Sequence, residues 1–215
     1  MIHKILLTAA LSFLAACAPT SIQIQHLQLS AGEAPLAQGS RPIIVLDRID
    51  LPDYLLRDEL LHRESSFSLR YDAARRWAEP LDLGVQRVLG RRLESALNTQ
   101  QVILFPDATA ETVDWWLSVT VTHFEATAAT AKIVAEGRWE QDNDDLKIVE
   151  SVVFEDSLPL RSGDGEDIAK VMSELLWKFA DELAAAISER PLMPNGTADP
   201  ERTIDVETVI ETTQQ

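Results

Sequence analysis

The chain has a single cysteine, Cys17, and it stands directly behind an apolar leader. Everything after it must therefore fold without a disulfide, a thiolate metal site or a cysteine nucleophile. The leader has three parts: a weakly basic head (Met1-Ile2-His3-Lys4), an apolar run from Ile5 to Phe13, and Leu14-Ala15-Ala16-Cys17. A membrane-spanning helix needs roughly 20 apolar residues, and this run has about half that. It reads as a processing segment, so residues 1–16 are expected to be a lipoprotein signal peptide. The small residues before Cys17 suit a peptidase cleft. Cys17 is then expected to carry a thioether-linked diacylglycerol and an N-acyl chain. An ordinary secretory signal would not need a cysteine at the cut. Two or more acyl chains anchor a protein stably, whereas one holds it only marginally. Ala18 replaces the aspartate of an inner-membrane retention signal, which points to the periplasmic face of the outer membrane rather than to the inner membrane.

The charge is lopsided, with 35 acidic against 19 basic residues and a net charge of −16. Loss of the leader removes Lys4 alone among the charged residues and takes the net charge to −17. Such a chain is a poor binder of nucleic acid or of broad anionic lipid surfaces, so the acyl chains rather than a basic patch would hold it to the membrane.

Residues 17–40, rich in Ala, Gln, Ser and Pro, read as the lipidated N-terminus and a tether; Ile22, Ile24, Leu27 and Leu29 leave room there for a short strand. The folded domain is expected over 41–190. Its first element is the continuous apolar run Ile43 to Leu46, which suits a strand buried on both faces. Leu51 to Leu55 should be a turn leading to a short helix or loop. Ser66 to Tyr71 alternates, which predicts a half-buried strand with Phe67, Leu69 and Tyr71 inward. A helix follows, with Pro80 in its first turn, Leu81, Val85, Val88, Leu89, Leu93, Ala96 and Leu97 on one face, and Asn98 as its stop. Val102 to Phe105 is a short strand. Trp115 to Phe124 alternates cleanly: Trp115, Leu117, Val119 and Val121 lie on one face, Trp116, Ser118, Thr120 and Thr122 on the other. Strands around Ile133 to Trp139 and Leu146 to Glu155 complete an antiparallel meander, with Asp142-Asn143-Asp144-Asp145 as its turn. A last amphipathic helix is expected near 165–189, with Asp164 or a neighbour capping its start and Pro191 ending it. Residues 191–215 read as an acidic, mostly disordered tail. The expected fold class is α+β: one two-layer domain, a mostly antiparallel sheet with two amphipathic helices on one face.

Catalytic signatures are lacking. His26, His62 and His123 stand at no metal-ligand spacing, and no phosphate loop or nucleophile elbow is present. The Asp142–Asp145 cluster lacks the glycine and terminal glutamate of a calcium loop and is better read as a hairpin turn. No catalytic residue, metal or cofactor is expected. Trp115-Trp116 is more informative, because adjacent strand residues face opposite ways. One indole joins the core; Trp116 is covered by a loop or the tail, or meets another subunit, a partner or lipid.

Leu51-Pro52-Asp53-Tyr54-Leu55-Leu56-Arg57, followed by Arg76-Trp77-Ala78-Glu79-Pro80-Leu81, resembles the signature of the PqiC/YmbA-like ABC-type transport auxiliary lipoproteins. The spacing to Val88-Leu89, Leu93, Leu97 and Val102 fits, as do His123-Phe124-Glu125 and Gly137-Arg138-Trp139. The resemblance spans about 40–160. It implies a non-catalytic, membrane-anchored accessory of an MCE-type, Pqi-like lipid transport system between inner and outer membranes. The implied partners are an MCE-domain protein and other copies of the chain in a homo-oligomeric ring. Within the motifs, Trp77, Glu79 and Pro80 have a sufficient reading as fold-forming residues. Tyr54 and Leu55 fall in a connection, where binding residues often lie, and join Trp116 as candidate contacts. Two other readings stand beside this one: a lipid-carrying or structural envelope lipoprotein, and an anchored hydrolase of envelope polymers or lipids.

Overall fold

Alternation along the segment from Trp115 sorts its side chains between two environments. Trp115, Leu117, Val119 and Val121 are each at most 1% exposed, while Ser118, Thr120 and Thr122 face solvent. The computed structural model describes residues 23–106, 113–143 and 146–190. The expected signal peptide, Cys17, the 191–215 tail and the 144–145 connection lie outside the described residues. In chain order the elements are β1 (Gln25–Leu27), β2 (Ile44–Asp50), a 3-10 turn (Asp53–Leu55), β3 (Glu59–Ser65), β4 (Ser68–Trp77), α1 (Leu81–Ala96), β5 (Val102–Leu104), β6 (Trp115–Ala126), β7 (Thr130–Asn143), β8 (Leu146–Pro159) and α2 (Gly165–Ser188).

β6 organises the single eight-stranded sheet. One of its edges carries β7, antiparallel over its whole length, and β7 in turn carries β8. Its other edge is shared: β2 pairs parallel with its first half and β3 touches its end at Ala126. β5 flanks β2, while β4 and then β1 continue outward from β3. The long pairings are antiparallel and the parallel ones are short, so the domain is α+β with a mostly antiparallel sheet. Ile44, Val45 and Leu46 are all at most 1% exposed, so β2, which lies between β5 and β6, is covered on both faces at this point.

Both helices lie on one face and pack against each other. The core-facing residues of α2, among them Ile168, Leu175, Phe179 and Leu183, are fully buried at helical spacing. Asp164 caps the helix by accepting a hydrogen bond from the Asp167 amide at 2.9 Å. Gly137 on β7 lets α2 lie close: a Cβ there would run into the end of the Leu183 side chain and stand 3.3 Å from its Cγ. α1 stops at Asn98, which takes a positive φ of 50°.

Four expectations need correction. Pro80 is extended (φ −50°, ψ 134°) and stands at the N-cap of α1, just before the first turn. The strand expected from Ser66 starts at Ser68, and the preceding β3 was not anticipated. Phe67 is therefore not inward; it sits at the β3–β4 hairpin turn, fully exposed. Finally, residues Gln25 to Gly39 of the stretch assigned to a tether pack on the domain. β1 pairs with β4, and Leu27, Leu29 and Ala37 are buried. Side chains of both helices hold this strap through its main chain: Trp177 and Arg87 donate to the carbonyls of Ser30 and Leu29, and Arg91 to that of Ala34. Such anchoring needs no apolar periodicity in the strap itself.

Candidate functional site

The two family-like motifs meet at the open end of the β3–β4 hairpin, where Tyr54, Leu55, Trp77 and Leu81 line one small cavity, and they are built differently. Leu51-Pro52-Asp53-Tyr54-Leu55 forms the 3-10 turn, closed by hydrogen bonds from the Leu55 amide to Pro52 O (2.8 Å) and the Leu56 amide to Asp53 O (3.1 Å). The turn points Leu55 into the core, where it is 4% exposed, so Leu55 is not a surface contact. Leu56, one residue on, is 51% exposed. Tyr54 is half-buried and donates its hydroxyl to Thr122 O at 3.1 Å. Tyr71 donates to Tyr54 O at the same distance, and the Arg57 guanidinium lies 4.5 Å over the Tyr71 ring. The turn is thus tied to β4 and β6 rather than hanging free.

Beneath Tyr54 lies an ion pair that the sequence reading missed. Arg63 on β3 binds Glu125 on β6 through two parallel hydrogen bonds, Nε to Oε1 and Nη2 to Oε2, the second at 3.0 Å. The Glu125 side chain is 4% exposed and that of Arg63 24%. Burial pushes the Tyr54 hydroxyl pKa up, and the charge of Glu125 pushes it further. His62 is also buried: its Nε2 has no hydrogen-bond partner among the described residues and stands 4.0 Å from Asp72. Its pKa is lowered, chiefly by burial and then by the charge of Arg70.

Trp77, Glu79 and Pro80 form a corner where β4, α1 and the N-terminal strap meet. Trp77 is buried, and its amide donates to Asp58 O at 2.7 Å. Glu79 accepts from Arg87 at 2.5 Å, and the same Arg87 nitrogen holds the Leu29 carbonyl. The hydrogen bond from Arg87 keeps the Glu79 carboxyl below the usual carboxylate range against an opposing effect of burial. This corner joins chain segments about 50 residues apart.

Trp116 lies half-buried on the open face of the sheet, between Val45 and Glu140 in register. It is far from the 51–57 turn along β6, so the structure does not gather Tyr54 and Trp116 into one site. Among the described residues no cluster of three or more His, Cys, Asp or Glu side chains could hold a metal ion, and no helix is long and apolar enough to cross a membrane. Cys17 lies outside the described residues.

The family model of the ABC-type transport auxiliary lipoprotein component matches residues 26–184. The chain belongs to this family. The match starts within β1 and ends within α2, so it takes in β2 to β8, α1 and most of α2. The intermembrane transport lipoprotein PqiC of Escherichia coli is 26% identical over 193 residues, covering 87% of this chain and 99% of that protein. A Xanthomonas campestris protein of known crystal structure shares the fold, with a TM-score of 0.61 and 16% identity over 77% of this chain and 94% of that one. A second crystal structure, of an uncharacterised protein, also gives a TM-score of 0.61, at 19% identity over 77% of this chain and 99% of that one.

Proposed function

We propose that this auxiliary lipoprotein is anchored through acylated Cys17 to the periplasmic face of the outer membrane. There it serves, without catalysis, an MCE-type lipid transport system that connects the two membranes. The family match across the whole folded domain carries this reading. The similarity to an intermembrane transport lipoprotein and the leader ending at Cys17 support it. The partner is an MCE-domain protein, and the chain acts as a ring of identical copies. Candidate contacts are the exposed edge of the 51–57 turn, with Tyr54 and Leu56, and the open sheet face around Trp116.

A Cys17→Ser variant tests the anchor. It should appear in the soluble periplasmic fraction, while the parent should stay with the outer membrane and show three acyl chains by intact mass. A variant that fractionates like the parent overturns the anchor. Affinity isolation of the parent from membranes should recover an MCE-domain protein, and the native mass of the isolated chain should be a multiple of the protomer. Recovery of a lone, unaccompanied protomer would contradict both the partner and the ring.

A further inference from the structure

The β3–β4 hairpin ends in Ser66 and Phe67, and Phe67 is as exposed as a side chain can be, at 101% of its reference area. The turn that presents it is fixed. The Phe67 amide donates to Ser65 Oγ at 3.2 Å, and Arg70 pairs with Glu64 at 2.9 Å just behind the tip. From Ser65 to Leu69 there is no charged residue, in a chain of net charge −16. The neighbouring β6–β7 turn is equally free of charge from Ala126 to Ala131. Both turns are at one end of the molecule, since β3 runs parallel to β6 with His62 opposite Ala126. A groove between them is lined at the tip by Ser65, Ser66, Thr127 and Ala128, with Arg63, Glu64 and Arg70 lining it further back.

Residues 23 and 24 lead into β1 from that same end. β1 is parallel to β4, with Gln25 opposite Arg75, so the chain leading into β1 comes from the direction of the hairpin tip. Eight residues separate Cys17 from Gln25, and fully extended they reach at most about 28 Å. Eight residues likewise separate Arg75 from Phe67, a length of about 26 Å along a strand. An acylated Cys17 can therefore stand level with the tip, and the extended reach leaves almost no slack beyond it.

The geometry points to the β3–β4 tip as a second membrane contact, with Phe67 entering the interfacial layer of the bilayer that holds the acyl chains. The proposal rests on the anchoring of Cys17 proposed above. A lone anchor would leave the domain free to tumble. An aromatic side chain at a rigid, uncharged tip fixes which end faces the lipid, and turns the open edge of β5 and the start of β6 toward the periplasm.

Acylation leaves no free thiol in the mature chain, so a Ser66→Cys variant can carry a single environment-sensitive fluorophore. The full lipidated chain is placed in phosphatidylethanolamine–phosphatidylglycerol vesicles with or without brominated acyl chains. Leu36→Cys is the control, exposed in the strap segment that pairs with Asn98 and Thr99 at the opposite end. Quenching at position 66 should exceed that at position 36 at least fivefold. Adding Phe67→Ser should at least halve the difference while the protein still floats with vesicles. Equal quenching at both positions on a chain that floats would overturn the tip contact and leave the anchor standing. So would shielding of the label that grows with protein concentration without lipid, which would seat the tip on a second copy. A chain whose mass shows no acyl groups would remove the anchor, and the tip geometry with it.

Discussion

Arg63→Met tests the buried pair on which the motif turn rests. Glu125 is 4% exposed, so the substitution leaves its carboxylate in a site that water barely reaches. Removing one partner of a buried pair costs about 3–5 kcal/mol, mainly from the stranded charge. Arg63 is 24% exposed, and water entering on that side brings the expected loss to the lower end, about 3 kcal/mol. Double replacement, Arg63→Met with Glu125→Leu, strands no charge. It should be more stable than Arg63→Met alone by at least about 1 kcal/mol. Urea unfolding in a lipid-free Cys17→Ser background reads both values. With a slope near 2 kcal/mol/M, the single variant should lose about 1.5 M in midpoint. A loss under about 1 kcal/mol, or a double variant as unstable as the sum of its singles, would refute the idea that desolvation of Glu125 governs this contact.

Gly137→Ala should cost about 1–3 kcal/mol by urea unfolding, because Leu183 has no room to yield beneath α2; the same substitution should cost less in a Leu183→Ala background, where the clash is gone. Asp164→Ala should lower the urea midpoint through loss of the α2 cap, and Asp164→Asn much less. Glu79 titrates below its ordinary value because Arg87 bonds its carboxylate, so its contribution is complete above the unfolded glutamate pKa of about 4.3 and disappears as pH falls through the folded value. Glu79→Gln should therefore narrow the gap to the parent as urea midpoints are followed from pH 6 down to pH 3; a constant gap would show that the pair does not govern the acid limb.

Where periodicity reported burial directly, the sequence was enough. Both helices, the two faces of β6 and the doubly buried β2 could be read from spacing, because each buries a regular stripe or a whole run. β3 could not. Its stretch Leu61-His62-Arg63-Glu64 reads as polar, yet Leu61 and His62 are buried and Arg63 is neutralised by Glu125, 62 residues away. Phe67 misled for a related reason: the alternation that places Leu69 inward was extended back across a turn, where strand register ends. The strap looks like a tether in sequence because much of its binding runs through carbonyls, to Arg87, Arg91 and Trp177, and only the scattered Leu27, Leu29 and Ala37 are buried. Leu55 lies in a connection, where contacts are expected, but the 3-10 turn directs it inward and leaves Leu56 exposed instead. The motifs pointed to the family, while the Arg63–Glu125 pair holding one of them in place depends on a long-range pairing that no local pattern carries.

The central claim is that the domain works by touching an MCE-domain partner while Cys17 holds it at the outer membrane. Its most direct measurement is site-specific photo-crosslinking in intact cells from position 56, the exposed residue of the motif turn. The account predicts an adduct that contains an MCE-domain protein and is lost in the Cys17→Ser variant. A well-expressed, membrane-bound protein that yields no such adduct from position 56, nor from position 116, would contradict it.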